Sequence, residues 1–364
     1  MSYPDRMTRL CERMEATGTD LVVIGPSSHM RWLAGLSPHG DERPVMILVG
    51  PKGAGMLMPA LNADSQRPLT DLPFQTWTDD AGPNAALTAL LADVGASGAG
   101  LSVALDETMR ADFALLVLDA LASPKHKFTG DTISALRARK DEAEYRALRA
   151  NALLNDGAMR AAFAALKPGV TEIEIATIVR EFYRANVATT EFTSVCFGGN
   201  GAFPHHHTGG TRLAAGDAVL IDIGGRSQGY PSDMTRVAHI GEPSAEFAKV
   251  HAIVDNAVRA ALATAKPGVR AKDVDKAARD VIAAAGYGDR FLHRTGHGLG
   301  IDIHEVPYIT ATSETVLEEG MVFSIEPGIY LPGQFGIRLE EIVFLRAGGA
   351  EILSELPRST FLPS

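Results

Sequence analysis

Cysteine is almost missing from this chain: two residues in 364, Cys11 and Cys196, with no Cys-x-x-Cys pair. That excludes a disulfide framework and predicts a reducing compartment. Long apolar runs are missing too. No stretch reaches the roughly 18 residues a membrane helix requires, and the opening MSYPDRMTRLCERME lacks the apolar core of an export signal. Positive charge is scarce: 34 Lys and Arg face 44 Asp and Glu, a formal net charge of -10, with no basic run. Nucleic-acid binding by phosphate neutralisation is therefore not expected. What is left is a chain expected in the cytoplasm, an enzyme or a metabolite binder. At 46% hydrophobic and 21% charged residues it has ample material for a core, and its length suits about two domains.

The first third alternates between strand and helix. Met7, Leu10, Cys11 and Met14 recur at helical spacing over residues 4–17. LVVIG from Leu21 reads as a short buried strand stopped by Gly-Pro; PVMILVG from Pro44 and GAGMLMPA from Gly53 read as two more. Residues 86–95 and 111–122 are predicted helices flanking a strand over 101–106. SPKHKFTGD, from Ser123, breaks the pattern. A boundary near residue 130 follows, with one α/β domain over residues 1–130 and a second domain over 131–364.

The second part opens with a predicted amphipathic helix from Lys140 to about Leu166. An internal repeat then appears. DGAMRAAFAALKPGV starts at Asp156 and DNAVRAALATAKPGV at Asp255, an offset of about 99 residues. After each comes a second helical pattern, then Gly and an apolar strand: GDAVLIDIGG from Gly216 and GMVFSIEPG from Gly320. Asp222 and Glu326 fall at matching positions in those strands. Two matched segments in the same order predict duplicated halves related by a pseudo-twofold axis, with a site between them.

Acids interrupt these apolar strands, and an isolated buried charge is too costly to leave without a partner. Asp233 follows Asp222 by 11 residues, across the turn-like GGRSQGYPS, and MTRVAHI reads as the returning strand. Glu340 follows Glu326 by 14, again hairpin spacing. Between them HRTGHGLGIDIHEVP carries His293, His297 and His304, with Gly296, Gly298 and Gly300 permitting close backbone approach to a ligand. Singly, Asp233 reads as an Asx turn and Glu340 as part of a solvated face. Jointly, four carboxylates and an imidazole predict two metal ions sharing bridging carboxylates. Such oxygen-rich ligation suits Mn²⁺, Co²⁺ or Fe²⁺ and argues against a structural zinc site. Paired ions activate water for hydrolysis.

VLIDIGG, YPSDMTR, GHGLGIDIHEVP, FSIEPGIY and GIRLEE, in that order within residues 135–364, resemble the metallopeptidase family that includes methionine aminopeptidase, aminopeptidase P and prolidase. The resemblance implies a two-domain α/β protein. A smaller creatinase-like domain, which methionine aminopeptidases usually lack, precedes an α+β "pita-bread" catalytic domain with internal duplication. It implies that Asp222, Asp233, His297, Glu326 and Glu340 hold two divalent ions, manganese foremost, with cobalt, iron or zinc as alternatives. Asp233 and Glu340 would bridge the ions, and Glu326 would also handle the proton of the attacking water. His205, selected from the His205–His207 run by its Pro-His context, and His304 would contact the substrate carbonyl or carboxylate. Arg338 would orient a carboxylate or the substrate. His293, Glu305 and Thr235 are expected to support the ligands, and Tyr230 to line the cleft.

The implied activity is hydrolysis of the bond before proline in dipeptides or short peptides, of prolidase or aminopeptidase P type. A homodimer is implied, with the loop SPHGDERP from Ser37, including Arg43, as the candidate contact to the partner's cleft. The alternative is a relative acting on a small osmolyte, of the dimethylsulfoniopropionate lyase or ectoine hydrolase type. Metal-free creatine hydrolysis and a non-catalytic binding module are weighed against by the full ligand set. Where the family commonly has Glu-Asp after the arginine, this chain has Glu340-Glu341.

Overall fold

The computed structural model describes residues 2–363. They form two compact units divided between Arg137 and Ala138. The first runs α1 (Tyr3–Thr17), β1 (Leu21–Ile24), α2 (Ser28–Ala34), β2 (Met46–Gly50), β3 (Gly53–Pro59), α3 (Ala60–Gln66), β4 (Phe74–Trp77), α4 (Asn84–Asp93), β5 (Ser102–Leu105), α5 (Ala111–Asp119) and β6 (Lys125–Phe128), closing with α6 (Ile133–Ala138). A capping box between Ser2 and Asp5 starts α1, and Gly18 in the left-handed region ends it. The strands form one sheet in the order β4-β3-β2-β1-β5-β6. β1 is antiparallel to β2 and parallel to β5. Every residue of β1 and β2 is buried, which is why they read as continuous apolar runs.

The segment KHKF, within the supposed break SPKHKFTGD, is itself a strand. β6 pairs parallel with β5 at the sheet edge. Exposed Lys125 and His126, with half-buried Lys127, guard that edge against further pairing and erase the apolar signal. In the same unit His29, Asp106 and Glu107 bring three metal-capable side chains within 4.8 Å. There the Arg137 guanidinium stands 3.0 Å from His29 Nδ1 and Thr129 donates to Glu107, so a cation and a hydroxyl already satisfy the group. Arg43 is held by Asp79 through two hydrogen bonds of 2.9 Å.

The second unit runs α7 (Glu142–Ala164), α8 (Glu172–Ala185), β7 (Thr189–Phe197), β8 (Ala218–Ser227), β9 (Tyr230–Pro231), β10 (Met234–His239), α9 (Ala245–Thr264), α10 (Ala271–Ala284), β11 (Gly296–Gly298), β12 (Glu305–Ile309), β13 (Val322–Ile325), β14 (Gly328–Leu331), β15 (Phe335–Arg338), β16 (Glu341–Arg346) and β17 (Gly349–Ile352). One sheet is ordered β10-β8-β7, another β12-β11-β13-β16-β17, with β14 and β15 a separate hairpin. The expected turn GGRSQGYPS is mostly strand: β8 runs to Ser227, and the chain reverses at Gln228 and Gly229, both at positive φ.

The duplication extends to the hydrogen bonds. α8 and α10 are both 14 residues long. In the first half Gly169 N donates to Leu213 O and Leu213 N to Val170 O; in the second, Gly268 N donates to Leu317 O and Leu317 N to Val269 O, all at 2.7–2.8 Å. Gly169 and Gly268 adopt nearly the same φ, 92° and 88°, a conformation only glycine takes without strain. Each half packs its helices on its own strands. Val179, Ile175 and Met159 lie against Ile221 and Ile223 in one core, and Val254, Val258 and Val274 lie with Phe323 and Ile325 in the other.

Candidate metal centre

Strand register brings the acids together. Asp222 in β8 pairs with Thr235 in β10, so Asp233 sits just before the returning strand. Glu326 directly follows β13, and Ile325 pairs with Glu341 of β16, which sets Glu340 beside Glu326. His297 is the middle residue of β11, which packs on β13. A cleft of about 380 Å³ is lined by all five, together with His205, His293, His304 and Arg338. Asp233, His297 and Glu340 form its tightest set, each offering a ligand atom within 4.8 Å of the others.

His297 Nδ1 lies 3.1 Å from the Gly298 carbonyl. A proton there leaves the Nε2 lone pair facing Asp233 Oδ2 at 3.5 Å and Glu326 Oε1 at 3.3 Å. A lone pair facing two carboxylate oxygens is repulsive unless a cation lies among them. Asp222 Oδ1 and Glu340 Oε1 are buried without a hydrogen-bond partner, and such orphans are rare unless a ligand completes them. Burial, above all, pushes Asp222, Asp233 and Glu340 above the ordinary carboxylate range, and neighbouring carboxylates add to it; Arg338 only partly offsets them. Burial acts the same way on Glu326, but positive charge placed on its His297 side outweighs burial and holds Glu326 down at about 2, as a cation there would. Four acids facing one arginine lack compensation, and the donor set fits divalent cations.

Arg338 is fully engaged. Its Nη2 donates to Asp222 Oδ2 at 2.6 Å, its Nε to Thr235 Oγ1 and its Nη1 to the Tyr330 hydroxyl, both at 2.9 Å. Thr235 in turn donates to Glu340 Oε2 at 2.9 Å. His293 Nε2 lies 2.7 Å from the Tyr330 hydroxyl. The His304 ring meets His297 edge-on at 4.0 Å, and burial with the adjacent His297 and Arg294 depresses it to about 4. His304 is therefore neutral at pH 7, able to donate one N–H without adding charge. Two expectations differ. Glu305 pairs with buried Lys140 at 2.8 Å, and the Tyr230 hydroxyl donates to Glu144; neither lines the cleft. Cys196 is buried, its thiol pushed up to about 11, which removes it as a nucleophile.

Residues 146–347 match metallopeptidase family M24, and residues 6–138 match the creatinase/prolidase N-terminal domain. The chain belongs to metallopeptidase family M24. A probable dipeptidase PepE of Mycobacterium tuberculosis is 36% identical over 98% of this chain and 95% of its own length. Among solved structures, the dipeptidase PepE of Mycobacterium ulcerans matches with a TM-score of 0.94 at 35% identity, covering 99% of this chain and 97% of that one. The dipeptidase of Pyrococcus horikoshii OT3 matches at 0.90 and 32%, covering 98% and 99%.

Two groups of this M24 chain escape a sequence reading. Ser324 Oγ takes the His297 backbone N–H at 2.9 Å and donates to Glu326 Oε1 at 3.0 Å, tying two ligand candidates together. Glu172, the first residue of α8, is fully buried. Its Oε1 accepts from Phe197 N and Asn200 Nδ2, and its Oε2 from Gly209 N and His206 Nε2, at 2.8–3.1 Å. Burial would raise this acid, but the four donors hold it below the ordinary range. It thereby fastens both ends of the loop that carries His205. A capping-box neighbourhood, Thr171 with Glu174, disguises it as an ordinary first-turn acid.

Proposed function

We propose that this chain is a dinuclear metal-dependent Xaa-Pro dipeptidase. The observation that carries the reading is the convergence of Asp222, Asp233, His297, Glu326 and Glu340 on one cleft, with His205 and His304 on its wall. In this reading Asp222, Asp233, His297, Glu326 and Glu340 would hold two divalent ions, with Asp233 and Glu340 as the residues that would serve both. Manganese is the expected metal. Divalent ions here supply charge compensation and Lewis acidity toward water and the scissile carbonyl.

The chain's own residues do the rest. Ionised Glu326 accepts the proton of the attacking water and returns it toward the proline nitrogen, which as a tertiary amide nitrogen must be protonated to leave. His205 and neutral His304 donate to the oxygen that becomes negative as the carbonyl turns tetrahedral. Arg338 holds Asp222, and Thr235 holds Glu340, in the rotamers the ions need. A peptide with proline second is the partner, and both cysteines are free, in keeping with a reducing cytoplasm. A homodimer belongs to the same reading. No helix among the described residues is long and apolar enough to cross a membrane.

The test is purified protein with Mn²⁺ against Ala-Pro, Ala-Pro-Ala and Ala-Ala, with the products identified by NMR. Cleavage of Ala-Pro far faster than Ala-Ala is expected. No cleavage of either proline substrate overturns the reading.

A further inference from the structure

The internal repeat carries a pair of acids that the metal centre does not use. Asp156 in α7 and Asp255 in α9 each open one copy, and both grip the same segment after β17. Asp156 Oδ1 accepts from the Ser354 hydroxyl at 2.6 Å, and its Oδ2 from Glu355 N at 2.8 Å. Asp255 Oδ1 accepts from Arg358 Nε at 2.7 Å. Phe361 completes the attachment. Its N–H donates to Val237 O at 3.1 Å, its carbonyl accepts from His239 N at 3.0 Å, and its ring stacks on Phe163. Between these anchors Arg236 of β10, only 1% exposed, reaches the segment from beneath. Its Nε donates to Pro357 O at 3.2 Å and its Nη2 to Leu356 O at 2.7 Å. The same guanidinium donates through Nη1 to the backbone carbonyls of Thr235 and Glu340, and through Nη2 to the Glu341 carboxylate at 3.1 Å. Glu341 also accepts from Arg358 at 2.8 Å, so the glutamate that stands where an aspartate is commoner is the acid two arginines share.

All five N–H donors of Arg236 are thereby spent, some on the segment and some on the backbone of a candidate ligand. Glu340 is held at both ends. Arg236 takes its carbonyl, and Thr235 donates to its Oε2 at 2.9 Å, which leaves Oε1 without a hydrogen-bond partner. A ligand fixed before the ion arrives needs no rearrangement on binding, and partners that fix one are worth about 10- to 100-fold in metal affinity. We infer that Arg236 is a positioning residue for the metal centre: it passes the grip on residues 354–358 to Glu340, so that metal affinity depends on a segment outside the cleft. The inference rests on the reading of Glu340 as a metal ligand. Arg236 and Arg358 are balanced by Glu341 and Asp255, so the effect on the centre is geometric, and a cation with fewer donors cannot replace the guanidinium.

The experiment measures Mn²⁺ affinity by calorimetric titration of the metal-stripped full chain as wild type, Arg236→Lys, Arg358→Gln and Glu172→Gln. Lysine keeps the charge but offers three donors where arginine has five, and Arg236→Lys is expected to weaken Mn²⁺ binding by about 10- to 100-fold. Arg358→Gln loosens the segment and leaves Glu341 to Arg236 alone; a loss of about 3- to 10-fold is expected. Glu172→Gln removes buried hydrogen bonds in the same unit but touches no candidate ligand. It is expected to bind as the wild type does, which separates positioning from lost stability. Unchanged affinity in Arg236→Lys overturns the inference; if that variant does not fold, unchanged affinity in Arg358→Gln does. Equal weakening in Glu172→Gln overturns it as well, because affinity would then follow stability alone. In each of these outcomes the metal reading stands. A wild type that binds no Mn²⁺ overturns the ligand assignment of Glu340 and the inference with it.

Discussion

Glu172→Gln tests whether the loop bearing His205 is held from behind. The substitution keeps the shape of the side chain and removes one acceptor oxygen. In the native arrangement each carboxylate oxygen serves two donors: Phe197 N and Asn200 on one side, Gly209 N and His206 on the other. A glutamine amide oxygen can serve one side only, and its NH₂ then confronts the other. Against the second side, His206 can adapt by moving its proton to Nδ1 and accepting. Gly209 N–H cannot. At least one backbone donor is left without an acceptor, at about 1–3 kcal/mol, and the remaining bonds lose their charge assistance. The expected loss is about 2–3 kcal/mol, a fall of about 5–10 °C in the melting temperature of a unit this size. Glu172 touches none of the candidate ligands, so metal content should stay at the wild-type level. The loop would no longer fix His205, and loss of one oxyanion donor alone costs about 10²–10³ in turnover. A fall in kcat of at least tenfold is therefore expected on Ala-Pro. An enzyme that melts within about 1 °C of wild type refutes the four-donor account. One that melts early but keeps its kcat refutes the link from Glu172 to His205.

Asp233→Ala or Glu340→Ala should remove both ions together, as read by elemental analysis, and abolish turnover, because in the proposed reading each of these carboxylates would serve both ions. His205→Ala should retain the metal and lose at least tenfold in kcat; metal loss as complete as in Asp233→Ala would contradict its role. In the first unit, burial alone would raise Glu107, but hydrogen bonds from His29 and Thr129 outweigh it and hold the acid at about 2, below its ordinary 4.5. Its folded value lies below its unfolded value, so the stability it contributes is complete above about pH 4.5 and lost as pH falls toward 2. Glu107→Gln should flatten that limb of an acid-unfolding curve and leave the neutral region unchanged in slope.

Much of the scaffold is legible because burial writes itself into composition. β1 and β2 are continuous apolar runs, and each helix-Pro-Gly unit of the repeat announces its own end. The candidate site is legible for the opposite reason, since Asp222 and Glu326 stand where an apolar strand has no use for a charge. β6 is hidden because an edge strand protects itself with lysines. Glu172 is hidden because an acid in the first turn of a helix has an ordinary explanation in the dipole and the cap. Its four donors come from residues 25 to 37 positions away, and no local pattern shows them. Glu305 misleads for the converse reason: it is close in sequence to His304 on HEVP but faces Lys140, which sits 165 residues earlier.

The repeat also explains why the centre is asymmetric. Asp222 pairs with Thr235 in the first half; in the second, Glu326 and Glu340 follow from the pairing of Ile325 with Glu341. Two residues further in the same registers, Asp233 falls opposite Gly224, and in the β14–β15 hairpin Gly328 pairs with Arg338. By register, then, Asp222 corresponds to Glu326, Thr235 to Glu340 and Asp233 to Arg338. A duplication preserving all three pairs would double each residue: six acids, too many to desolvate together, four acids with no cation, or two arginines with at most four acids and one ligand pair lost. Divergence has instead put a hydroxyl and an arginine at two of the six positions. Those two residues bond each other, Arg338 Nε to Thr235 Oγ1, and then each holds an acid of the opposite half: Arg338 holds Asp222, and Thr235 holds Glu340. The crossing contacts mean that Asp222 and Glu340 are each oriented by the opposite half. A set of ligands assembled this way stays in register only while the two halves remain docked, and metal retention should therefore be lost in the same transition that separates their cores.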